Sequence, residues 1–241
     1  MIIILVTYYN SSKYIGKTIE SLKKQTVKDW KCYITNDLST DEEFSFVKNL
    51  VKNEKQIELI KNKTKHYQTG NYWQILQKEE IYDEDICITL DGDDWFMDKY
   101  VLQRVLDYYK NKNIWMSFGQ FVFWNGKEYK KGFTHKPKIF NNARLLGWTS
   151  SHLRTFKAHL FRRIHKKDLI NPETNNFWQS AGDVVCFCPM LEMAGEDRIL
   201  YVDDINYVYN TETELNDYKV NLFLQEGIHN IIKNKKPYRK I

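Results

Sequence analysis

Several patterns that would assign this chain to a common protein class are absent from it. No apolar run approaches the ~18 residues that a membrane-spanning helix needs. The apolar start at Met1–Val6 is too short for a signal peptide and has no basic region, so we predict a first strand there. The four cysteines lack CxxC pairing, which favours buried free thiols in a reducing compartment: Cys32, Cys87, Cys186 and Cys188. We therefore expect a cytoplasmic protein without a transmembrane segment.

Proline and glycine are also scarce, with 4 and 10 of them in 241 residues. No linker rich in either residue, no repeat and no low-complexity segment divides the sequence, which indicates a single domain over residues 1–241. The formal net charge is only +5. A charge this small argues against a nucleic-acid-binding protein, because such proteins neutralise many phosphates.

Short apolar runs alternate with helical patterns in the first half of the chain. We predict strands at Ile2–Val6, Trp30–Thr35, Ile57–Ile60 and Ile86–Leu90. The first predicted helix begins after Ser11 or Ser12, and the second begins after a capping box formed by Ser39 and Glu42 or by Thr40 and Glu43. A basic loop at 61–70 precedes the third predicted helix, Asn71–Glu80, and the fourth spans Asp98–Tyr109. Strands and helices in this order, with short connections, predict a parallel sheet with right-handed crossovers.

The second half follows a different pattern. Asn125-Gly126 lies between runs at 114–124 and 127–133, which predicts a hairpin with a type I′ turn. A strand near Leu153–Phe156, a helix over Asp183–Met193 and a strand over Ile199–Tyr209 are predicted next. A final helix is predicted with one apolar face, formed by Val220, Phe223, Leu224, Ile228 and Ile231. A basic end follows this helix, formed by Lys233, Lys235, Lys236, Arg239 and Lys240.

Three carboxylates follow directly on the predicted strand Ile86–Leu90. Asp91, Asp93 and Asp94 occupy three of four consecutive positions, where they repel one another and lose hydration. A divalent cation such as Mg²⁺ or Mn²⁺ would offset this repulsion, since it takes carboxylate oxygens and leaves positions open for phosphate oxygens. Ligands of open α/β sheets bind beyond the carboxyl ends of the strands, where these residues are expected. The alternative is a solvated acidic turn in which Gly92 supplies the bend.

Three other site patterns are incomplete in this sequence. A P-loop around Gly16-Lys17-Thr18 needs a glycine at the position of Ser11, so its backbone cradle is missing. No GxGxxG follows a predicted strand, which leaves a dinucleotide-binding fold without its characteristic pattern. There is no HExxH, and Cys186-Phe187-Cys188 has no companion ligands at zinc spacing.

Four segments of the first half, taken together, form a known pattern. They are Val6–Asn10, Ser21–Thr26, Asn36–Asp41 and Asp91–Trp95. This pattern closely resembles the family 2 glycosyltransferases, which carry T-x-Y-N, S-x-x-x-Q-T, D-D-x-S-x-D and a D-x-D before an aromatic residue. The resemblance implies an α/β, GT-A-type single domain, with a mostly parallel central sheet flanked by helices and an appended hairpin and C-terminal helix.

The same resemblance implies transfer of a sugar, with inversion, from a nucleotide-diphosphate sugar to a hydroxyl group. Residues 1–110 would then form the nucleotide-sugar-binding half and 111–215 the acceptor-binding half, followed by a C-terminal helix and basic tail at 216–241. A UDP-sugar is the expected donor, with Mn²⁺ or Mg²⁺ as cofactor. The expected acceptor is a glycan, a lipid-linked molecule or a protein hydroxyl. The basic C-terminus offers a possible peripheral contact with a membrane.

Residue roles follow from the resemblance. Thr7 is expected to touch the nucleobase or its ribose, and Asp37 to accept a hydrogen bond from the base. Asn36 departs from the family pattern, which has an aspartate there. Tyr9 and Gly70 complete the nucleotide-sugar-binding set that we predict.

The carboxylates divide into metal ligands and a base. Asp93 is expected to bind the metal directly, Asp91 to lie near the ribose and the metal, and Asp94 to orient the residues around them. Asp183 is the expected general base, because Ala181-Gly182-Asp183 before a helix resembles the base-bearing segment of the family. Helix capping is the alternative role for both Asp37 and Asp183. Other acidic residues considered for the base are Glu192, Glu196, Asp203 and Asp204.

Further residues have a functional and a structural interpretation. Lys65, His66 and Arg154 could contact phosphate or be ordinary surface charges. Aromatic rings could stack on a sugar or pack in the core, as at Trp95, Trp148 and Trp178. His152 and His159 are expected to be ordinary polar residues rather than ligands. Other function classes remain open as well, namely a non-catalytic sugar-nucleotide or glycan-binding protein and a nucleotidyltransferase, although the loop Thr7–Ser12 lacks the glycines that the latter needs.

Overall fold

Strands and helices alternate along the chain. The structure is a computed structural model that describes residues 1–132, 144, 151–214, 219 and 221–241. The first elements are β1 (Ile2–Tyr8), α1 (Ser12–Lys23), β2 (Trp30–Asn36), α2 (Asp41–Val51), β3 (Ile57–Lys61), α3 (Tyr67–Leu76) and β4 (Ile86–Asp91). Next come β5 (Trp95–Phe96), α4 (Val101–Tyr108), β6 (Met116–Trp124), β7 (Tyr129–Lys131), β8 (Thr155–Lys157) and α5 (Ala158–Arg162). The last are β9 (Ile170–Asn171), β10 (Asn176–Phe177), α6 (Gly182–Ala194), β11 (Ile199–Asn210) and α7 (Leu222–Lys233).

Most strands join one mixed central sheet. Its order is β3-β2-β1-β4-β8-β6-β11-β5, with β7 paired to β6, while β9 and β10 form a separate hairpin. The strands β3, β2, β1 and β4 are parallel, as the alternation of strands and helices predicts. Beyond β4 the short strand β8 is antiparallel to both of its neighbours, β4 and β6. The sheet therefore has a parallel half that carries the family-like segments and a mixed half built from later sequence.

Alternation along the strands gives the sheet two apolar faces. Ile3 and Leu5 of β1 point into a core that includes α3, α5, α6 and α7. Ile2, Ile4 and Val6 point into the opposite core with α1, α2 and α4. All five side chains are fully buried, and each stabilises the fold by roughly 1.5–3 kcal/mol relative to exposure. The result is a sheet covered by helices on both faces.

Three sequence predictions about local structure are confirmed. The hairpin forms between β6 and β7, with Gly126 in the left-handed region at φ +88°, which favours glycine. The predicted type I′ turn is wrong, because Asn125 lacks the positive φ that such a turn needs. Thr40 caps α2, because its hydroxyl accepts a hydrogen bond from the Glu43 N–H at 3.3 Å. The strands and helices of the first half occur in the predicted order.

Several predicted boundaries are wrong. Helix α3 begins at Tyr67 rather than Asn71, so that Gly70 lies inside a helix and not at the end of a loop. Helix α4 begins at Val101 rather than Asp98. The strand expected near Leu153–Phe156 is shifted to Thr155–Lys157, and the short elements β5, α5, β9 and β10 have no counterpart in the prediction.

The C-terminal helix forms, but most of the residues predicted to line its apolar side are exposed rather than buried. Helix α7 buries Ile228 and Ile232, whereas Phe223, Leu224 and Ile231 are exposed, and Val220 lies outside the described residues. The tail after it is attached to the body, since the Tyr238 hydroxyl donates to Asp168 at 2.7 Å. In the part of the chain that the structure describes, no helix is both long and apolar enough to cross a membrane.

Candidate active site

The carboxyl ends of β1, β2 and β4 lie side by side at one edge of the sheet. Thr7 of β1 is in register with both Thr35 of β2 and Asp91 of β4. The turn after β4 is held against β1, because the Gly92 N–H donates to the Thr7 carbonyl at 3.0 Å. A Cβ at Gly92 would lie 2.4 Å from the Tyr8 side chain, so only glycine permits this close approach. Asp91, Asp93 and Asp94, which we call the acidic turn, therefore lie at the predicted edge.

Asp94 is the buried member of the acidic turn. Its carboxylate accepts hydrogen bonds from the Tyr207 hydroxyl at 2.6 Å and from the Asn210 N–H at 2.7 Å, both on β11. Burial raises the pKa of Asp94 well above its usual range, and the charges of Asp93 and Asp91 add to that rise. Asp94 thus ties the acidic turn to β11 and does not face a ligand.

Asp91 and Asp93 are partly exposed. Burial raises the pKa of Asp91 to about 6, and the negative charge of Asp93 contributes to the rise, while Arg154 opposes it. The Asp91 carboxylate accepts a hydrogen bond from the Gln68 amide at 3.0 Å. Two neighbouring carboxylates at the open end of a sheet would both be stabilised by a positive ion.

Asp183 lies at the start of α6, as predicted. It is the second residue of the helix and follows Ala181, whose backbone is left-handed at φ +54°. One carboxylate oxygen accepts the Val184 N–H at 2.8 Å and the other accepts from Arg154 at 3.1 Å. Its side chain keeps 24% of its surface exposed, and its charge contributes to the raised pKa of Asp91. The fold thus brings Asp183 to the acidic turn, although 92 positions separate it from Asp91 in the sequence.

Arg154 and Gln68 connect these two groups of carboxylates. The surface-charge interpretation of Arg154 is wrong, because only 4% of the residue is exposed; its guanidinium pairs with Asp183 and lies 5.3 Å from the Phe187 ring. Gln68, at the start of α3, bonds to Asp91 and also packs against Gly182, where an added Cβ would lie 2.4 Å from its amide oxygen. No signal in the sequence indicated that Arg154 would be buried or that Gln68 would bond to Asp91.

The carboxylate of Asp37 is occupied by the loop before α3. It accepts hydrogen bonds from the Asn62 amide at 2.9 Å, the His66 N–H at 2.8 Å and the Tyr67 N–H at 3.0 Å. The Lys65 ammonium lies 3.7 Å away, and Asp37 is almost fully buried. These contacts agree with the alternative role of Asp37 in helix capping, but the helix whose start it holds is α3 rather than α2, which follows it in the sequence. The role of Asp37 as the acceptor of a hydrogen bond from a nucleobase stays a prediction.

The other predicted nucleotide contacts lie around the same edge, with one exception. Thr7 lies near the end of β1 beside Asp91, and its buried hydroxyl has no hydrogen-bond partner among the described residues. Tyr9 is exposed, with the Lys65 ammonium 3.1 Å from its ring centroid. Gly70 instead packs beneath Phe177, since an added Cβ would lie 2.5 Å from that ring. Its small size serves the contact between α3 and β10.

The remaining aromatic and histidine candidates are structural. Trp95 and Trp178 are buried, in line with core packing, while Trp148 lies outside the described residues. His152 is buried and stacks on Tyr207 with ring centroids 4.2 Å apart, and burial holds its pKa well below the usual range. His159 is buried and packs against Trp115.

The other acidic residues that were considered for the base have different environments. Glu192 forms a buried ion pair with Arg144 at 2.6 Å. Asp203 and Asp204 are exposed on β11, where Asp204 accepts a hydrogen bond from Tyr108. Glu196 is exposed in the turn that follows α6. None of these environments brings its residue to the acidic turn, so that Asp183 is the better-placed candidate.

The donor atoms of the acidic turn suit a hard divalent cation. Within the described residues no group of three or more His, Cys, Asp or Glu side chains could hold a metal ion. Asp91 and Asp93 nevertheless supply two carboxylates, and the pKa of Asp91 is raised first by burial and then by the negative charge of Asp93. The residues therefore fit a cation that takes its remaining ligands from phosphate oxygens and water.

Known structures share this fold. Staphylococcus aureus TarS 1-349 matches with a TM-score of 0.65 at 21% identity, over 87% of this chain and 60% of that one. Its complex with UDP-GlcNAc matches with a TM-score of 0.66 at 19% identity, over 88% of this chain and 59% of that one. The mannosyltransferase PcManGT from Pyrobaculum calidifontis, in complex with GDP-Man and Mn²⁺, matches with a TM-score of 0.64 at 13% identity, over 98% of this chain and 65% of that one. The chain thus spans about 60% of the length of the TarS fragment.

Sequence comparison points the same way. An uncharacterized glycosyltransferase of Haemophilus influenzae is 25% identical over 227 residues, which cover 88% of this chain and 69% of the relative. The model of glycosyl transferase family 2 matches residues 3–169, a segment that holds the acidic turn and Arg154 but ends before Asp183. From this match and the fold, the chain belongs to glycosyl transferase family 2 and has the GT-A type of fold.

Proposed function

We propose that this protein transfers a sugar, with inversion, from a nucleotide-diphosphate sugar to an acceptor hydroxyl. The observation that carries the proposal is the meeting of two carboxylate groups at one sheet edge: Asp91 and Asp93 on the acidic turn, and Asp183 at the start of α6. A UDP-sugar is the proposed donor. Structures of TarS with UDP-GlcNAc and of GalNAc-T7 with UDP, GalNAc and Mn²⁺, which share the fold, support this choice. The GDP-Man complex of PcManGT is the reason why GDP-sugars are tested as well.

Asp91 and Asp93 would hold the cation and, through it, the donor's diphosphate. When bound, Mn²⁺ or Mg²⁺ would neutralise the charge that develops on the departing nucleoside diphosphate. Thr7 and Tyr9, beside the same strand ends, are the proposed contacts to the nucleoside. Asp37 holds the loop before α3 in place at this edge through the Asn62, His66 and Tyr67 hydrogen bonds.

Asp183 is the proposed general base. It would take the proton of the acceptor hydroxyl while that oxygen attacks the anomeric carbon from the face opposite the leaving group. Arg154 fixes one carboxylate oxygen and the Val184 N–H fixes the other, so that the side chain has one orientation. Inversion needs a single base and no enzymic nucleophile, unlike the carboxylate pair of a retaining glycosidase.

Two further parts of the proposal concern acceptor and location. The acceptor is a glycan, lipid-linked or protein hydroxyl that would bind along the half formed by residues 111–215.

All four cysteines are buried free thiols, which supports a reducing compartment such as the cytoplasm.

A thermal-shift screen of UDP- and GDP-sugars, with and without Mn²⁺, tests donor and cation together. A donor at a hundredfold excess over its Kd stabilises the native state by about 2.7 kcal/mol, and we expect this only for UDP-sugars and only with Mn²⁺. Release of UDP from the bound donor would then separate an enzyme from a non-catalytic binding protein. The proposal is abandoned if no nucleotide sugar raises the Tm under either condition.

A further inference from the structure

Helix α7 buries only a narrow strip of its surface. Ile228 and Ile232, four positions apart, are each 2% exposed and join the core beneath α6. By contrast, Phe223 is 91% exposed, Ile231 43% and Leu224 38%. Most of the apolar surface of this helix therefore lies outside the protein core.

These exposed residues share one side of the helix. Phe223, Leu224, Gly227 and Ile231 follow one another at spacings of one, three and four positions, which places them on adjacent stripes of a helix. A Cβ added at Gly227 would meet nothing within 4 Å, so no other part of the described chain covers the middle of this side. We call these four residues the apolar face; apolar faces of this kind mark interaction sites.

Cations gather at the other end of α7. Lys233, Lys236 and Arg239 are exposed and have no acidic partner among the described residues, whereas Lys235 and Lys240 pair with Asp168 and Asp197. Lys166 and Lys167 are also exposed, and together with Lys235 they line a cleft of about 480 Å³ where the tail meets the turn at 166–168. We call the unpaired group the basic end; its members are Lys166, Lys167, Lys233, Lys236 and Arg239.

The tail that carries the basic end is fixed to the protein body. The Tyr238 N–H donates to Glu192 at 2.9 Å and its hydroxyl donates to Asp168 at 2.7 Å. The Lys235 ammonium also donates to Asp168 at 3.1 Å. Since α7 has 12 residues, it is about 18 Å long, so that the basic end follows the apolar face along a segment whose tail is held in place.

We propose that this surface docks on an anionic lipid bilayer. Helix α7 would lie in the plane of the interface, with the apolar face at the boundary of the acyl chains and the basic end on the lipid phosphates. A second copy of the chain is disfavoured as the occupant, because two basic ends would repel each other. Four residues are also far fewer than the roughly 20–30 per partner of a stable protein interface. This proposal does not depend on the donor or on the reaction.

Vesicle co-sedimentation of the full chain tests the proposal. We expect binding to vesicles of phosphatidylglycerol and phosphatidylcholine, and little binding to phosphatidylcholine alone. The double variant Phe223→Ser/Ile231→Ser should lose at least tenfold in affinity, and Lys236→Gln and Arg239→Gln should each weaken binding about fivefold. Added salt should weaken the wild type in the same direction, since surface charges are screened.

Two matched controls lie on the opposite face of the sheet. Phe46 and Lys48 are exposed on α2, and Phe46→Ser and Lys48→Gln should bind anionic vesicles like the wild type. Because all the substituted side chains are exposed, the Tm of every variant should remain that of the wild type. Equal affinity for neutral vesicles, no binding to either kind, or binding by the double variant at wild-type affinity would overturn the proposal. The proposal would also be overturned if the wild type self-associated and the double variant did not, because the apolar face would then bind a second copy of the chain.

Discussion

The acidic turn and the start of α6 bring carboxylates to the same site in opposite electrostatic states. On the acidic turn, burial and the neighbouring charge of Asp93 raise the pKa of Asp91 to about 6. At the start of α6, Asp183 already has a cation, the Arg154 guanidinium 3.1 Å away. One group therefore lacks positive charge and the other is neutralised and held in place. This difference suits the first to a metal-bound diphosphate and the second to a base of fixed orientation.

The largest expected effect separates these two roles. Asp183→Asn should reduce turnover roughly 10²–10⁴-fold, the usual contribution of a general base, and leave donor affinity unchanged. Asp93→Ala should abolish both turnover and the Mn²⁺-dependent binding of UDP. Initial rates and calorimetric titration of UDP measure the two properties. Asp203→Asn, which changes an exposed acidic residue on β11, is the control and should have wild-type rates. A fully active Asp183→Asn variant would contradict the assignment of Asp183 as the general base.

Arg154→Met tests whether the ion pair supports Asp183. Removing one partner of a buried ion pair costs roughly 3–5 kcal/mol, and we expect the lower end because Asp183 is partly exposed. Denaturant unfolding measures this loss. Arg154→Lys retains the charge but not the planar fork, so it should recover most of the stability and less of the turnover. A Met variant as stable and as active as the wild type would show that Arg154 is dispensable.

The raised pKa of Asp91 predicts how stability depends on pH in the absence of metal. Because the folded-state pKa is about 6 and the unfolded one about 3.9, the folded state binds the proton more tightly. The contribution of Asp91 to stability is thus fully present below about pH 4 and is lost as the pH rises through about 6, a change of about 3 kcal/mol. Urea unfolding across this range should show that loss in the wild type and not in Asp91→Asn. Addition of Mn²⁺ should restore stability above about pH 6 only in the wild type.

The smallest effects concern the glycines. Gly182→Ala would press a Cβ onto the Gln68 amide that bonds to Asp91, and we expect a loss of about 1–3 kcal/mol together with weaker metal binding. Gly16→Ala is the matched control, because a Cβ there meets nothing within 4 Å inside α1. That variant should gain about 0.5–1 kcal/mol. Thermal unfolding measures the change in stability of the two variants, and equal changes would contradict the close packing of Gln68 against Gly182.

The first half of the fold could be predicted because its signals are local. Apolar runs such as Ile2–Val6, the Thr40/Glu43 cap and the Asn125-Gly126 turn each act within a few residues. The start of α3 was misjudged because its first N–H groups bond to Asp37, which lies 29 and 30 positions earlier. The exposure of the apolar side of α7 could not be predicted, because periodicity identifies an apolar stripe but not whether anything packs on it.

The sequence by itself determined the family, the alternation of strands and helices in the parallel half and the placing of the Asp91, Asp93 and Asp94 carboxylates directly behind a buried strand. Only the tertiary structure decided what surrounds them. Tyr207 reaches Asp94 across 113 positions, Arg154 reaches Asp183 across 29 and Gln68 reaches Asp91 across 23. Such contacts leave no periodic pattern in a single sequence, because they depend on how distant elements pack on the sheet. The charge environment of each carboxylate is therefore a property of the packed molecule.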